Sequence, residues 1–127
     1  MANRTSEQKR ETAETQISLR LDIDGTGVYE LDSGNAMFDH LLAQLSRHGL
    51  MDLTIKAQGD TDVGWHHLVE DVGLVLGRAM RQCVGDGAGI VRMASAYAPL
   101  DEALARTVVD FSGRGYSVLE LRLGDSD

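Results

Sequence analysis

The chain has 127 residues, 43% of them hydrophobic and 25% charged, a composition that fits one soluble globular domain. Twelve Lys+Arg against twenty Asp+Glu leave a net charge of −8, which argues against nucleic-acid binding by general electrostatics. No apolar run reaches the roughly 18 residues a membrane span needs. The lone cysteine, Cys83, allows no intrachain disulfide.

The opening residues MANRTSEQKRE have no apolar segment behind their charges. They read as no secretory signal, and with the rest point to a cytoplasmic protein. Residues 1–13 are polar and weakly patterned, a frayed tail or an edge strand. From Thr15 the period is two: Ile17, Leu19, Leu21 and Ile23 alternate with polar residues, predicting a half-buried strand. Asp24-Gly25-Thr26-Gly27 is turn chemistry, and Val28 to Leu31 reads as the hairpin partner. Met37, Phe38, Leu41, Leu42 and Leu45 then fall at helical spacing, with Ser33 or Asn35 as N-cap and Gly49 as the terminating glycine.

Met51, Leu53, Ile55 and Ala57 alternate as a further strand, and Gly59-Asp60-Thr61-Asp62 reads as a loop. A second helix is expected from about Trp65 to Val84, with Leu68, Val69, Val72, Val75, Leu76, Ala79, Met80 and Cys83 inward. Its terminator is the glycine cluster at 85–89, which follows a helix and so is no phosphate cradle. Strand-like pieces follow near 90–98, 103–111 and 116–123. In the last of these, Leu119, Leu121 and Leu123 share a side.

The order β-β-α-β-α with helices on one face of a sheet makes the fold α+β in two layers. An offset of 88 matches Arg4, Glu14, Asp22, Gly25 and Gly27 with Arg92, Glu102, Asp110, Gly113 and Gly115. The chain therefore divides into residues 1–88, a first α+β half, and 89–127, the opening strands of a second similar unit. Those strands need cover from another subunit or a further segment.

All four histidines lie in the helical zones. His40, Gln44 and His48 share one helix face, which is also what a plain polar stripe looks like. His66 and Glu70 stand four apart and can share a metal ion, whereas His67 points about 100° away. Imidazole with carboxylate suits Zn, Mn or Fe, although exposed adjacent histidines also occur without function. Asp71 is a candidate acceptor behind a ligand imidazole. Cys83 reads as a buried structural thiol. Arg92 and Arg114 are isolated cations that matter only toward an anion.

The segments RETAETQISLRLDIDGTG, FDHLLAQLSRHGLMDLTIKAQGD, HHLVEDVGLVLG and APLDEALARTVVDFSGR follow one another in order. Together they resemble the imidazoleglycerol-phosphate dehydratase family over nearly the whole chain. That resemblance implies two similar halves of a ribosomal protein S5 domain 2-like fold. It also implies removal of water from imidazole glycerol phosphate, giving imidazole acetol phosphate in histidine biosynthesis. Two Mn²⁺ ions per active site are implied, at sites formed where the subunits of a 24-subunit assembly meet. By the same resemblance His40, His66, His67 and Glu70 are metal ligands, and Glu14 is the acid/base carboxylate. His48 lines the substrate pocket, and Arg92 and Arg114 bind the phosphorylated imidazole substrate. Neither nucleic acid nor membrane is an expected partner.

The sequence also departs from the family pattern. A second HHxxE is expected near 154–158, past Asp127; Gly64 replaces the usual aspartate before the histidine pair; Gly115 stands where proline is common. The rival reading is a catalytically inactive metal-binding or assembly fragment of the same fold.

Overall fold

A computed structural model describes residues 3–121 and divides the chain into two compact units, Met1–Ala88 and Gly89–Asp127. In the first unit the described elements are β1 (Thr5–Glu11), β2 (Thr15–Asp22), β3 (Tyr29–Asp32), α1 (Ala36–Gly49), β4 (Asp52–Gly59) and α2 (His66–Val84), with a 3₁₀ turn at Thr61–Val63. The strands form one mixed sheet in the order β1-β2-β4-β3. β1 and β2 are antiparallel, β2 and β4 are antiparallel, and β3 runs parallel to β4.

Strict alternation makes one sheet face apolar. Ile17, Leu19 and Leu21 of β2 and Leu53, Ile55 and Ala57 of β4 are buried, while the residues between them face outward. Both helices cover that face, α1 over β3 and β4, α2 chiefly over β1 and β2. Leu42 of α1 joins Leu68, Val72, Val75, Ala79 and Cys83 of α2 in the same core. Cys83 is buried, and burial pushes its thiol pKa up, as expected of a structural cysteine.

Of the two readings of the polar opening segment, the edge strand holds, as β1. Several other expectations are corrected. With β1 counted, the first unit runs β-β-β-α-β-α. β3 is not a hairpin partner of β2. The Asp52 carboxylate accepts hydrogen bonds from Thr26 N–H at 2.8 Å and Val28 N–H at 2.9 Å. These contacts lead the chain past β4 to its far edge, where Leu53 N–H donates to Val28 C=O at 2.9 Å.

On α1 the N-cap is Asn35, whose Oδ1 accepts from Met37 and Phe38 N–H. The left-handed C-terminal position is Leu50 (φ 53°), not Gly49, and Leu50 N–H donates to Ser46 C=O. The buried residues of α1 are Leu42, Ala43 and Ser46, so Met37, Leu41 and Leu45 form an exposed stripe instead of the core face. On α2, Val69 is exposed, and Asp71 replaces it among the inward residues. Gly85 terminates α2.

The second unit contains β5 (Met93–Leu100) and β6 (Ala103–Asp110), an antiparallel hairpin with both strands exposed throughout. Its register runs from Met93↔Asp110 through Pro99↔Leu104 to Leu100↔Ala103, and the part up to Pro99↔Leu104 has a counterpart in the first hairpin. That counterpart is the Thr5↔Asp22 to Glu11↔Gln16 register, displaced by 88 residues. The expected strand at 116–123 is absent over 116–121, where Leu119 and Leu121 lie exposed outside any strand. Leu123 lies outside the described residues.

Candidate metal and acid-base site

Three loops and helix ends converge beyond the ends of β1, β2 and β4. Glu14 stands in the connection between β1 and β2, Asp60 directly follows β4, and His67 lies in the first turn of α2. Gly59 permits the approach. A Cβ there would meet Leu68 Cδ1 at 3.2 Å, Glu14 O at 3.3 Å and Thr15 Cγ2 at 3.3 Å, tighter than ordinary van der Waals contact. Asp60 N–H donates to Glu14 C=O at 3.0 Å, fastening the β4 end to the hairpin loop.

The His67 Nδ1 lies 3.1 Å from both carboxylate oxygens of Asp60 and 3.8 Å from Glu14 Oε2. An ionised carboxylate only accepts, so Nδ1 carries a proton, and in the neutral ring the lone pair is on Nε2. The hydrogen bond to Asp60 raises the His67 pKa above the ordinary imidazole value, and the charges of Glu14 and Glu70 raise it further. His66 packs beside it, with ring centroids 4.1 Å apart and planes tilted by 56°.

Glu14, Asp60 and His67 are the one trio of His, Cys, Asp or Glu found close enough to share an ion among the described residues. Their ligand atoms lie within 4.8 Å of one another. One imidazole with two carboxylates, all at least partly exposed, fits a borderline transition metal better than a soft one.

The structure thus brings His67 and Glu14 together, with His66 alongside. Glu70 lies exposed one turn along α2. His40 and His48 are exposed on α1 and share no hydrogen bond or ion pair with the trio among the described residues. His48 Nε2 instead pairs with Gln44 Oε1 at 3.0 Å.

Asp71 is no partner of either histidine. It is buried, accepts a hydrogen bond from Thr15 Oγ1, and lies 2.9 Å from Arg10 Nε in an ion pair. The Arg10 N–H is not aimed along that line and makes no hydrogen bond. Asp60 takes the role expected of Asp71. It precedes α2 in an irregular segment, where no periodicity links it to His67; the signal at hand was Gly59-Asp60 closing a strand just before the histidine pair.

Gly64 adopts φ 105°, a region that a side chain enters only with strain. In the second unit Arg92 donates to Asp110 from Nε at 2.6 Å and Nη2 at 3.0 Å, holding the Asp110 carboxyl below its ordinary pKa. Arg114 is exposed, and its backbone N–H donates to Ser112 Oγ.

Comparison with known proteins extends these findings. The sequence profile for imidazoleglycerol-phosphate dehydratase matches residues 33–127. The imidazoleglycerol-phosphate dehydratase of Methylibium petroleiphilum is 58% identical over 112 residues, which cover 88% of this chain and 56% of that protein. That of Dehalococcoides mccartyi is 50% identical over 127 residues, covering 100% of this chain and 63% of the relative.

Among solved structures, the enzyme of that name from Staphylococcus aureus superposes with a TM-score of 0.75 at 30% identity, over 95% of this chain and 68% of that one. The Pyrococcus furiosus structure gives 0.77 at 29% identity, over 94% and 63%. The chain thus spans 56% and 63% of the length of the two curated relatives described.

Proposed function

Because the chain belongs to the imidazoleglycerol-phosphate dehydratase family, we propose that it supplies the acid–base and first metal-binding half of imidazole glycerol phosphate dehydration to imidazole acetol phosphate. The observation that carries this reading is the convergence of Glu14 and Asp60 on His67. Residues 1–88 act as the first half-unit, and the β5–β6 hairpin opens the second.

His67 offers Nε2 to the metal while Asp60 holds Nδ1–H and so fixes tautomer and ring plane. His66, Glu70 and His40 complete the ligand set. A bound divalent transition metal, Mn²⁺ in this reading, supplies Lewis acidity and a template for the substrate.

Glu14 takes and returns the proton at the substrate carbon; its half-exposed carboxylate, 3.8 Å from His67 Nδ1, supports that role. His48 lines the pocket from α1. Arg92 and Arg114 receive the phosphate, and an anion at Arg92 competes with Asp110 for the guanidinium.

The test is a Mn²⁺ titration of the purified chain and of the His66→Ala/His67→Ala variant. Tight binding in the parent and its loss in the variant supports the reading. Equal affinities overturn it. The chain alone is expected to show no appreciable dehydration, because small misplacements in a metal site cost large factors in rate. Robust Mn²⁺-dependent turnover would mean instead that identical chains supply the other half to each other. The rival reading, a catalytically inactive metal-binding or assembly fragment of the same fold, is separated from this one by metal stoichiometry together with turnover on the purified chain.

A further inference from the structure

Behind Glu14 runs a directed chain of hydrogen bonds that the reaction itself does not use. Thr12 Oγ1 accepts from Glu14 N–H at 3.1 Å and Thr15 N–H at 3.0 Å. Thr12 Oγ1 and Thr15 Oγ1 lie 3.2 Å apart. The Thr15 hydroxyl proton goes to Asp71, so the proton between the two threonines comes from Thr12. The chain ends at the Asp71 carboxylate, buried on α2 beside Glu70 and paired with Arg10 of β1.

The hairpin itself does not require these groups. β5 and β6 form the same ladder in the same register and carry it one pair further, to Leu100↔Ala103, with Ala98, Leu100 and Ala103 where Arg10, Thr12 and Thr15 stand. The ladder thus forms without the hydroxyls and the charges; in the first hairpin the Thr12 hydroxyl gathers the loop N–H groups and leads on through Thr15 to Asp71. What they join is the Glu14 backbone to the helix that carries His67.

We infer that Thr12, Thr15, Asp71 and Arg10 are positioning residues that hold the Glu14 carboxylate against His67. This rests on the reading of Glu14 and His67 as one metal-associated site. The relay acts at a distance from the metal and touches neither it nor the imidazole.

The test measures Mn²⁺ affinity in the full chain, with a thermal melt for every variant. Glu14 is not in the ligand set, but its carboxylate lies within reach of an ion shared with Asp60 and His67 and adds to the negative charge there. Cutting the relay at its half-buried outer end (Thr12→Val) or its buried link (Thr15→Val) is therefore expected to weaken Mn²⁺ binding about tenfold, the usual scale for groups that support a metal site from outside its ligands. Thr15→Ser keeps the hydroxyl and stays near the parent. If Thr15→Val fails to fold, Thr12→Val carries the test, since it leaves the Thr15–Asp71 bond intact.

Glu14→Gln gives the decisive comparison. A relay that works through Glu14 predicts that Thr12→Val adds no further loss in the Glu14→Gln background. Losses that compound, a Thr15→Ser as weak as Thr15→Val, or unchanged affinity in Thr12→Val would each overturn the inference. If His66→Ala/His67→Ala also leaves affinity unchanged, the underlying site reading falls and this inference with it. If that variant loses binding and Thr12→Val does not, the inference alone fails.

Discussion

Arg4 and Asp24 close the open end of the first hairpin: the guanidinium donates from Nε at 3.0 Å and Nη2 at 2.7 Å, and Arg4 N–H adds a third bond at 2.8 Å. These contacts hold the Asp24 carboxyl down to about 2, from an ordinary 3.8. A folded-state pKa below the unfolded one stabilises the fold above the unfolded value, and the gain is lost as pH falls through the folded one. The parent is therefore expected to melt above Asp24→Asn at neutral pH. The gap should narrow from about pH 4 downward and close near pH 2. A constant gap across that range would show that the ion pair contributes nothing.

Core truncation should separate the first unit from the exposed leucines near 120. Leu21 is fully buried between sheet and helix, and Leu21→Ala is expected to cost about 2–5 kcal/mol. Leu119 is exposed, and Leu119→Ala should change stability by no more than about 0.5 kcal/mol. Urea unfolding of the two variants checks the contrast.

Much of the first unit was legible in the sequence because one face of each central strand is buried. Period-two apolar spacing in β2 and β4 marks that face directly. β1 stayed open between tail and edge strand because it carries polar residues on both sides, leaving no alternation to read. The parallel placement of β3 depends on the Asp52 carboxylate, more than twenty residues away. On α1 two apolar stripes compete. Periodicity identifies both Leu42 and the Met37/Leu41/Leu45 line but cannot say which one meets the sheet. Of the site, Glu14 and the histidine pair were readable as motif residues. Asp60 was not, because its contact with His67 spans an irregular turn.

Asn35 should be a sensitive point of α1. Its Oδ1 alone serves Met37 and Phe38 N–H, at 3.1 and 3.0 Å. Asn35→Ala leaves both donors to water and is expected to lower stability by about 1 kcal/mol. Asn35→Asp restores an acceptor and should stay near the parent in the same urea titration.

Asp60→Asn tests the orientation of His67. The amide can present its oxygen to Nδ1–H, so ring position is largely kept, but the charge behind the imidazole is gone. Mn²⁺ affinity is expected to fall about 10- to 100-fold, with the melting curve little changed. Calorimetric titration of parent and variant decides it, and equal affinity would remove Asp60 from the site.

The exposed stripe of α1 bears on association. Met37, Leu41 and Leu45 stand at four-residue spacing and are 67%, 55% and 40% exposed, while Leu42, about 100° round the helix from Leu41, enters the core. Each such side chain left in water forgoes about 1.5–3 kcal/mol of burial, a large share of a domain's typical total of about 5–15 kcal/mol. A contiguous apolar line of this kind marks a surface that another molecule covers. The chain is accordingly expected to self-associate at roughly micromolar concentration, as hydrophobic burial of this size favours. Replacing Leu41 and Leu45 together by Glu should reduce the sedimenting mass. Because neither residue belongs to the core cluster, the same change should leave the core packing, and the cooperative thermal melt that reports it, unaltered. A parent chain that sediments as a compact monomer would show that the stripe needs no partner.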